Sequence, residues 1–352
     1  MTAGASLAAV ARWLDSVDPG VHRRIKGLRL VTAFGIAALL GALHDVAGGL
    51  PDGASLSTLA GGIALWASVS EGRATRQESG RDLALLVAAA VLGATFTAGL
   101  TPVLAPSGPA GPELTLVAGA FLVGYLRRFG VLGAGIGSQI YIGQLLAYGL
   151  GLTPMDLPML GVAGLIAAVA AIVPRMLSGP AERPVLAPAA PRVASPFGMS
   201  PEFVMGLQAA SAATAIVLLN GAFGLAQSVW AITASTFVVA STASGTIERI
   251  RRRIVGTAIG VPIGLACLPI ALHAPILVWV AAAIAMVIYA MAMPQRYDIA
   301  CGAFAFTLIV TMAANGEHSI AHLAARLWET LLGGAVGLAT AVLVFPLRPN
   351  RD

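Results

Sequence analysis

The chain has 352 residues, of which 57% are hydrophobic and only 11% charged, and its mean hydropathy is +0.85. Soluble domains carry about 25% charged residues, so a water-soluble globule is excluded. A disulfide scaffold is excluded as well, because the two cysteines, Cys267 and Cys301, both lie in apolar runs. Disorder fails for want of polarity, and long apolar stretches exclude an outer-membrane barrel with strands of about 10 alternating residues. An all-α integral membrane protein remains.

Taken in chain order, residues 1–26 come first. Leu7, Val10, Trp13, Leu14 and Val17 recur there at helical spacing around Arg12 and Asp15, which suits a short amphipathic helix on a cytoplasmic membrane surface. Twelve apolar helices follow, as expected from segments near the length needed to cross a bilayer. Six fall at 27–49, 55–70, 82–104, 114–127, 130–150 and 157–177. Six more fall at 202–223, 226–243, 253–272, 275–293, 298–314 and 319–346. Turn residues such as Pro51-Asp52-Gly53 and the proline-rich stretch 105–112 separate them.

The longest polar, proline-rich stretch, 178–201, reads as an extended cytoplasmic connector. It divides the chain into a first repeat, 27–177, and a second, 202–347, leaving 348–352 as a cytoplasmic tail. Six helices is an even number, so both halves enter the membrane the same way round, as a parallel repeat. Arg128-Phe129 before the fifth helix and Arg296-Tyr297 before the eleventh are a weak internal echo of that repeat.

Charge supports the same topology. With both termini inside, every one of the 21 Lys and Arg residues except Arg326 falls on the cytoplasmic side. The net charge of +5 is therefore topological rather than a nucleic-acid footprint.

Three motifs of the second half stand out together. Arg249-Ile-Arg-Arg-Arg-Ile-Val-Gly256 is a basic loop running into a Gly-Thr-x-x-Gly helix. Arg296-Tyr-Asp-Ile-Ala-Cys-Gly-Ala-Phe-Ala-Phe-Thr307 is an aromatic helix after a short loop, and Arg326-Leu-Trp-Glu-Thr-Leu-Leu-Gly-Gly334 continues to Phe345-Pro346. In order and spacing they resemble the fusaric acid resistance (FUSC) and aromatic acid exporter family, itself similar to plant aluminium-activated malate transporters. Gly27-Leu-Arg29 and the basic loop at 73–81 carry the resemblance more loosely into the first half. It implies efflux of aromatic or other organic acids across a bacterial inner membrane. The large cytoplasmic domain of many relatives is replaced here by the proline-rich linker.

Read from the residues alone, Gly256, Gly260 and Gly264 make a flat helix face for close packing, or line a pathway. Tyr297, Phe304, Thr307 and Thr311 share a face of the eleventh helix at mid-bilayer depth. They are a candidate surface for an aromatic acid, or pack and bond back to their own helix. On the fifth helix Gln139 competes with the Tyr141 and Gln144 face for the inward position. Trp66 and Trp230 are secondary candidates. Arg326 and Glu329 sit one turn apart on the twelfth helix: either they form an interfacial anchor, or Arg326 attracts a carboxylate and Glu329 accepts a proton.

No catalytic set, cofactor motif or metal-ligand spacing emerges. His318 and His322 lack a third ligand, and no phosphate loop is followed by a Lys. The expected function is a secondary transporter exporting organic acids between the repeats, driven by protons or membrane potential. A passive anion channel and a non-transporting membrane assembly subunit are the alternatives. The expected partners are the bilayer and a small organic anion, without nucleic acid. Self-association and a periplasmic efflux partner stay open.

Overall fold

The structure, a computed structural model, describes residues 18, 22–48, 56–73, 75–108, 110–178, 193–194, 198–317 and 319–349. The amphipathic segment expected before residue 18 and most of the proline-rich linker lie outside these residues.

The described residues fold into helices α1 (His22–Gly48), α2 (Leu56–Ser70), α3 (Arg76–Leu104), α4 (Leu114–Tyr125), α5 (Gly130–Gly149) and α6 (Leu157–Leu177). Beyond the linker come α7 (Pro201–Phe223), α8 (Ser228–Val238), α9 (Ala243–Ala266), the short α10 (Leu268–His273), α11 (Pro275–Ala292), α12 (Tyr297–Ala314) and α13 (Ile320–Leu343). The one extended pairing among them is a two-residue antiparallel bridge, Val193–Ala194 with Arg348–Pro349, which ties the end of the linker to the tail. Seven described stretches are long and apolar enough to cross a membrane, with α4 and α5 counted in one of them. Helices α2 and α8 are apolar but shorter.

Local chemistry sets the helix ends. The Thr75, Ser200, Thr242 and Ser319 hydroxyls each accept a backbone N–H three residues on, at the starts of α3, α7, α9 and α13. The Thr242 cap corrects one expectation. The basic run Arg249–Arg253 is no loop, because α9 begins at Ala243, ten residues before the apolar stretch. Glu248 holds Arg251 and Arg252 at i+3 and i+4, at 3.1 and 2.6 Å, which supports helix there. Those hydrogen bonds, from Arg252 first and then Arg251, keep the Glu248 carboxyl below the usual carboxylate range.

Helix α9 then stops at Cys267, and α10 takes up the remainder of the expected ninth helix. Helix α13 ends at Leu343, earlier than expected. Gln208 of α7 donates to the Val344 carbonyl at 2.9 Å, and Phe345 turns to a positive φ of 48° ahead of Pro346, so the helix cannot run on.

Small residues govern the packing. A Cβ on Gly93 of α3 would fall 2.0 Å from the Ile140 carbonyl oxygen of α5, and one on Gly143 of α5 would fall 1.9 Å from that of Ala90. Helices α9 and α12 meet in the same way, at Gly256, Gly260 and Gly302. Backbone-to-backbone approach of this kind supplies the dispersion contacts that hold helices together when lipid is as apolar as a side chain.

In the first half α3 packs on α5 and α6, α2 on α6, α1 on α2 and α6, and α4 on α5. In the second half α9 packs on α12 and α13, α8 on α13, α7 on α8 and α13, and α11 on α12. The halves join along two further pairs, α1 with α11 and α4 with α7. An alanine-rich core fills the first half, while a second core joins α4 to α7 and α8 with Tyr141 at its edge.

Candidate functional site

The seam between the halves holds most of the candidate side chains. Arg326, on the second turn of α13, is 4% exposed. Its guanidinium carbon lies 3.9 Å from the Trp230 ring centroid of α8 and 5.4 Å from that of Phe304 on α12. Its Nε and Nη1 have no hydrogen-bond partner.

Next to it, Phe304 meets Trp66 of α2 edge-on at 5.3 Å, and Tyr289 of α11 packs on both rings at 6.4 and 6.2 Å. Beyond these rings Arg253 of α9 donates to the Tyr297 hydroxyl at 3.4 Å, and its Nε is buried without a partner. Arg253 and Arg326 are near enough to act on each other as like charges. A column of aromatic rings thus runs between two cationic groups with unused donors.

A guanidinium costs about 2.5–3.5 kcal/mol at a helix centre on insertion scales, an upper bound for the second turn of α13. Stacking on a desolvated ring returns about 2 kcal/mol. The rest is available to an anion, and a carboxylate accepting from both free nitrogens contributes about 1.5–3 kcal/mol.

At the other end of the column, Glu329 accepts the backbone N–H of Gln227, just before α8. Glu113, at the entry to α4, accepts from Tyr148 of α5 and Asn220 of α7, each at 2.9 Å, and from the Ser228 hydroxyl of α8. Both glutamates are buried, and each keeps one carboxylate oxygen without a partner.

The sequence-derived candidates divide between this seam and its surroundings. Phe304, Tyr297, Arg326 and Glu329 belong to the seam, as do Trp66 and Trp230. Tyr141 also reaches across the halves, sharing a 2.9 Å hydrogen bond with Thr233 of α8. Gln144 donates to the Thr115 carbonyl of α4 at 3.0 Å, and Gln139 to the Trp66 carbonyl at 2.8 Å and the Ser70 hydroxyl at 2.9 Å. These two amides therefore join neighbouring helices of the first half. The Thr307 hydroxyl points to the Ala282 carbonyl of α11 at 3.5 Å, and Thr311 bonds back to Thr307 and Leu308 of its own helix.

Sequence reasoning missed Glu113, Asn220 and Tyr289. A signal existed for the first two, since each is a polar residue at the margin of an apolar run, where burial is costly without a purpose. Tyr289 gave none.

Outside the seam, Arg251, Arg252, Val255, Gln295, Arg296 and Asp298 line an open hollow of about 290 Å³ beside the basic stretch of α9.

Residues 212–340 match the family model described as fusaric acid resistance protein-like. That span contains α8 to α12 with most of α7 and α13, and it supports the family assignment made from the three motifs. The family is one of membrane transport and resistance proteins, and the apolar helices agree with a multi-pass membrane protein. The comparison with curated proteins and that with solved structures each returned no match.

Proposed function

Taking the match to the fusaric acid resistance-like family as premise, we propose that this protein is an inner-membrane secondary transporter exporting organic acids, aromatic carboxylates foremost. The pathway runs along the seam between two six-helix repeats. The observation that carries this reading is Arg326, buried, stacked between Trp230 and Phe304, with two donors unused. An aromatic carboxylate complements that pair of features. Its ring takes a place among Trp66, Tyr289 and Phe304, and its charge takes the free nitrogens.

The duplicated architecture is supported by the packing. Helix pairs α3·α5, α3·α6, α2·α6, α1·α6 and α4·α5 have counterparts in α9·α12, α9·α13, α8·α13, α7·α13 and α11·α12. The joints α1·α11 and α4·α7 exchange under the same correspondence, as a two-fold axis along the membrane normal requires. On this reading α1–α9 and α11–α13 are twelve membrane crossings with both termini cytoplasmic. Arg253 then lies toward the cytoplasmic mouth, and Arg326 with the two glutamates toward the periplasmic one.

Flux of radiolabelled benzoate into liposomes holding the purified chain tests the proposal. Uptake that follows an imposed pH gradient and is lost in Arg326→Gln supports it. Large uncoupled anion currents point instead to a channel. No flux of benzoate or other aromatic acids rejects the transport reading.

A further inference from the structure

Glu113 and Glu329 reach the same place from opposite halves of the chain. Both meet the start of α8, Glu329 at the N–H of its N-cap Gln227 and Glu113 at the hydroxyl of its first residue, Ser228. They are 1% and 0% exposed, and the groups they accept from belong to adjacent residues. Each has one oxygen, Oε2, that accepts nothing.

Two ionised carboxyls buried at one place cost more than one, and a proton taken up there lowers that cost. An unpartnered acceptor in a dry interior costs about 1–3 kcal/mol, and an uncompensated buried charge costs more, which protonation removes.

We propose that Glu113 and Glu329 form a coupled carboxyl pair that binds the transported proton, with Arg326 linking its charge state to the organic anion. This rests on the transport reading above. The surrounding groups fit the task. On its own helix Glu329 has Arg326 one turn away, and from α9 Arg253 adds a second positive charge within range of Arg326. Around Glu113 stand the phenols Tyr148 and, farther off, Tyr141 of α5, with neutral Asn220 of α7 and Ser228 of α8. The N-terminal end of α8 adds partial positive charge that favours the ionised form.

With the pair singly protonated, Arg326 has a weaker acidic neighbour and offers its full charge to a carboxylate, so proton and anion cross together and the anion's own outward gradient, not an inward proton gradient, drives export. With both carboxyls ionised, they compete with that carboxylate for Arg326. The proton moves from water to Oε2 of one glutamate and returns to water from the same atom, so nothing else is consumed. The pairing joins α4 of the first half to α13 of the second, and a relative movement of the halves would change the separation of the two charges.

The test uses the full chain in liposomes. Infrared difference spectra between acid and neutral pH, recorded without any organic acid, read the C=O stretch of buried protonated carboxyls. A band is expected that Glu113→Gln and Glu329→Gln each remove or shift, and that Glu329→Asp restores. Spectra unchanged by both Gln substitutions overturn the proposal.

In a second arm, benzoate uptake driven by a pH gradient should fall roughly tenfold or more in each Gln variant. Gradient-driven uptake retained in either variant overturns the pair as the coupling site. Wild-type vesicles that move no benzoate count against the transport reading instead, and the infrared spectra still decide whether the pair binds a proton.

Discussion

Replacing Gly260 by Ala adds one methyl at the closest point between α9 and α12. The new Cβ would fall 2.2 Å from the Gly302 carbonyl oxygen, and 2.9 and 3.0 Å from the next two Gly302 atoms. All three are backbone, so no rotamer change relieves the clash. Ordinary contact begins near 3.4 Å, and the helices must part by more than 1 Å. Overpacking of this kind costs about 1–3 kcal/mol. The methyl's helix propensity returns at most about 1 kcal/mol, so the net remains destabilising. A loss of 2 kcal/mol corresponds to a midpoint lowered by about 4–8 °C in a large domain.

The effect reaches the site, because Phe304 follows Gly302 by two residues and meets Trp66 of the other half edge-on at 5.3 Å. The control is Gly161→Ala on α6, where nothing lies within 4 Å of the added Cβ. That change gains propensity and should leave the midpoint unchanged or slightly higher. Both variants are compared with wild type by thermal unfolding in detergent, followed through tryptophan fluorescence. Equal midpoints for Gly260→Ala and Gly161→Ala would refute the close approach of α9 and α12, and with it the argument that small residues set the seam.

Other outcomes follow from the same geometry. Arg326→Gln keeps a polar side chain but loses the charge, and it should weaken benzoate binding about ten- to hundredfold, matching about 1.5–3 kcal/mol; equilibrium binding to detergent-solubilised protein measures it. Trp230→Leu removes the stacking face under the guanidinium, worth about 2 kcal/mol when desolvated, and should lower the thermal midpoint as well as the affinity for benzoate. Thr307→Val exchanges a hydroxyl that leans toward a helix carbonyl for a methyl of similar size. Normal membrane abundance with altered tolerance across a panel of aromatic acids would keep Thr307 in the site, and unchanged kinetics would assign it to packing. In a background lacking Cys267, Ser107→Cys should react with an impermeant maleimide from the periplasmic side and Ser200→Cys from the cytoplasmic side. Labelling of both from one side would dismiss the proposed topology.

Much of this architecture was legible in the chain alone. Apolar runs and their Gly and Pro breaks located twelve of the thirteen helices among the described residues, because a long apolar helix leaves a plain signature in the sequence. Ends were read less well where capping, rather than hydropathy, decides them. Thr242 starts α9 inside a polar stretch, and Gln208, over a hundred residues away in sequence, stops α13 from the side.

Of the side chains that meet at the seam, the sequence reading had singled out Arg326, Glu329, Phe304 and Tyr297 as candidates, residues whose charge or ring stands out against an apolar helix. It had no means of ranking Thr307 below Phe304, or of giving Trp230 its place under a guanidinium. Nor did it single out Glu113, whose one signal was a charge between a proline-rich turn and an apolar run. What made Glu113 conspicuous was the arrival of Tyr148, Asn220 and Ser228 from three other helices. Hydropathy and charge are properties of one segment and can be read along it. A seam is made of side chains brought together from segments far apart, and only the packing of helices on glycine and alanine faces determines which of them meet.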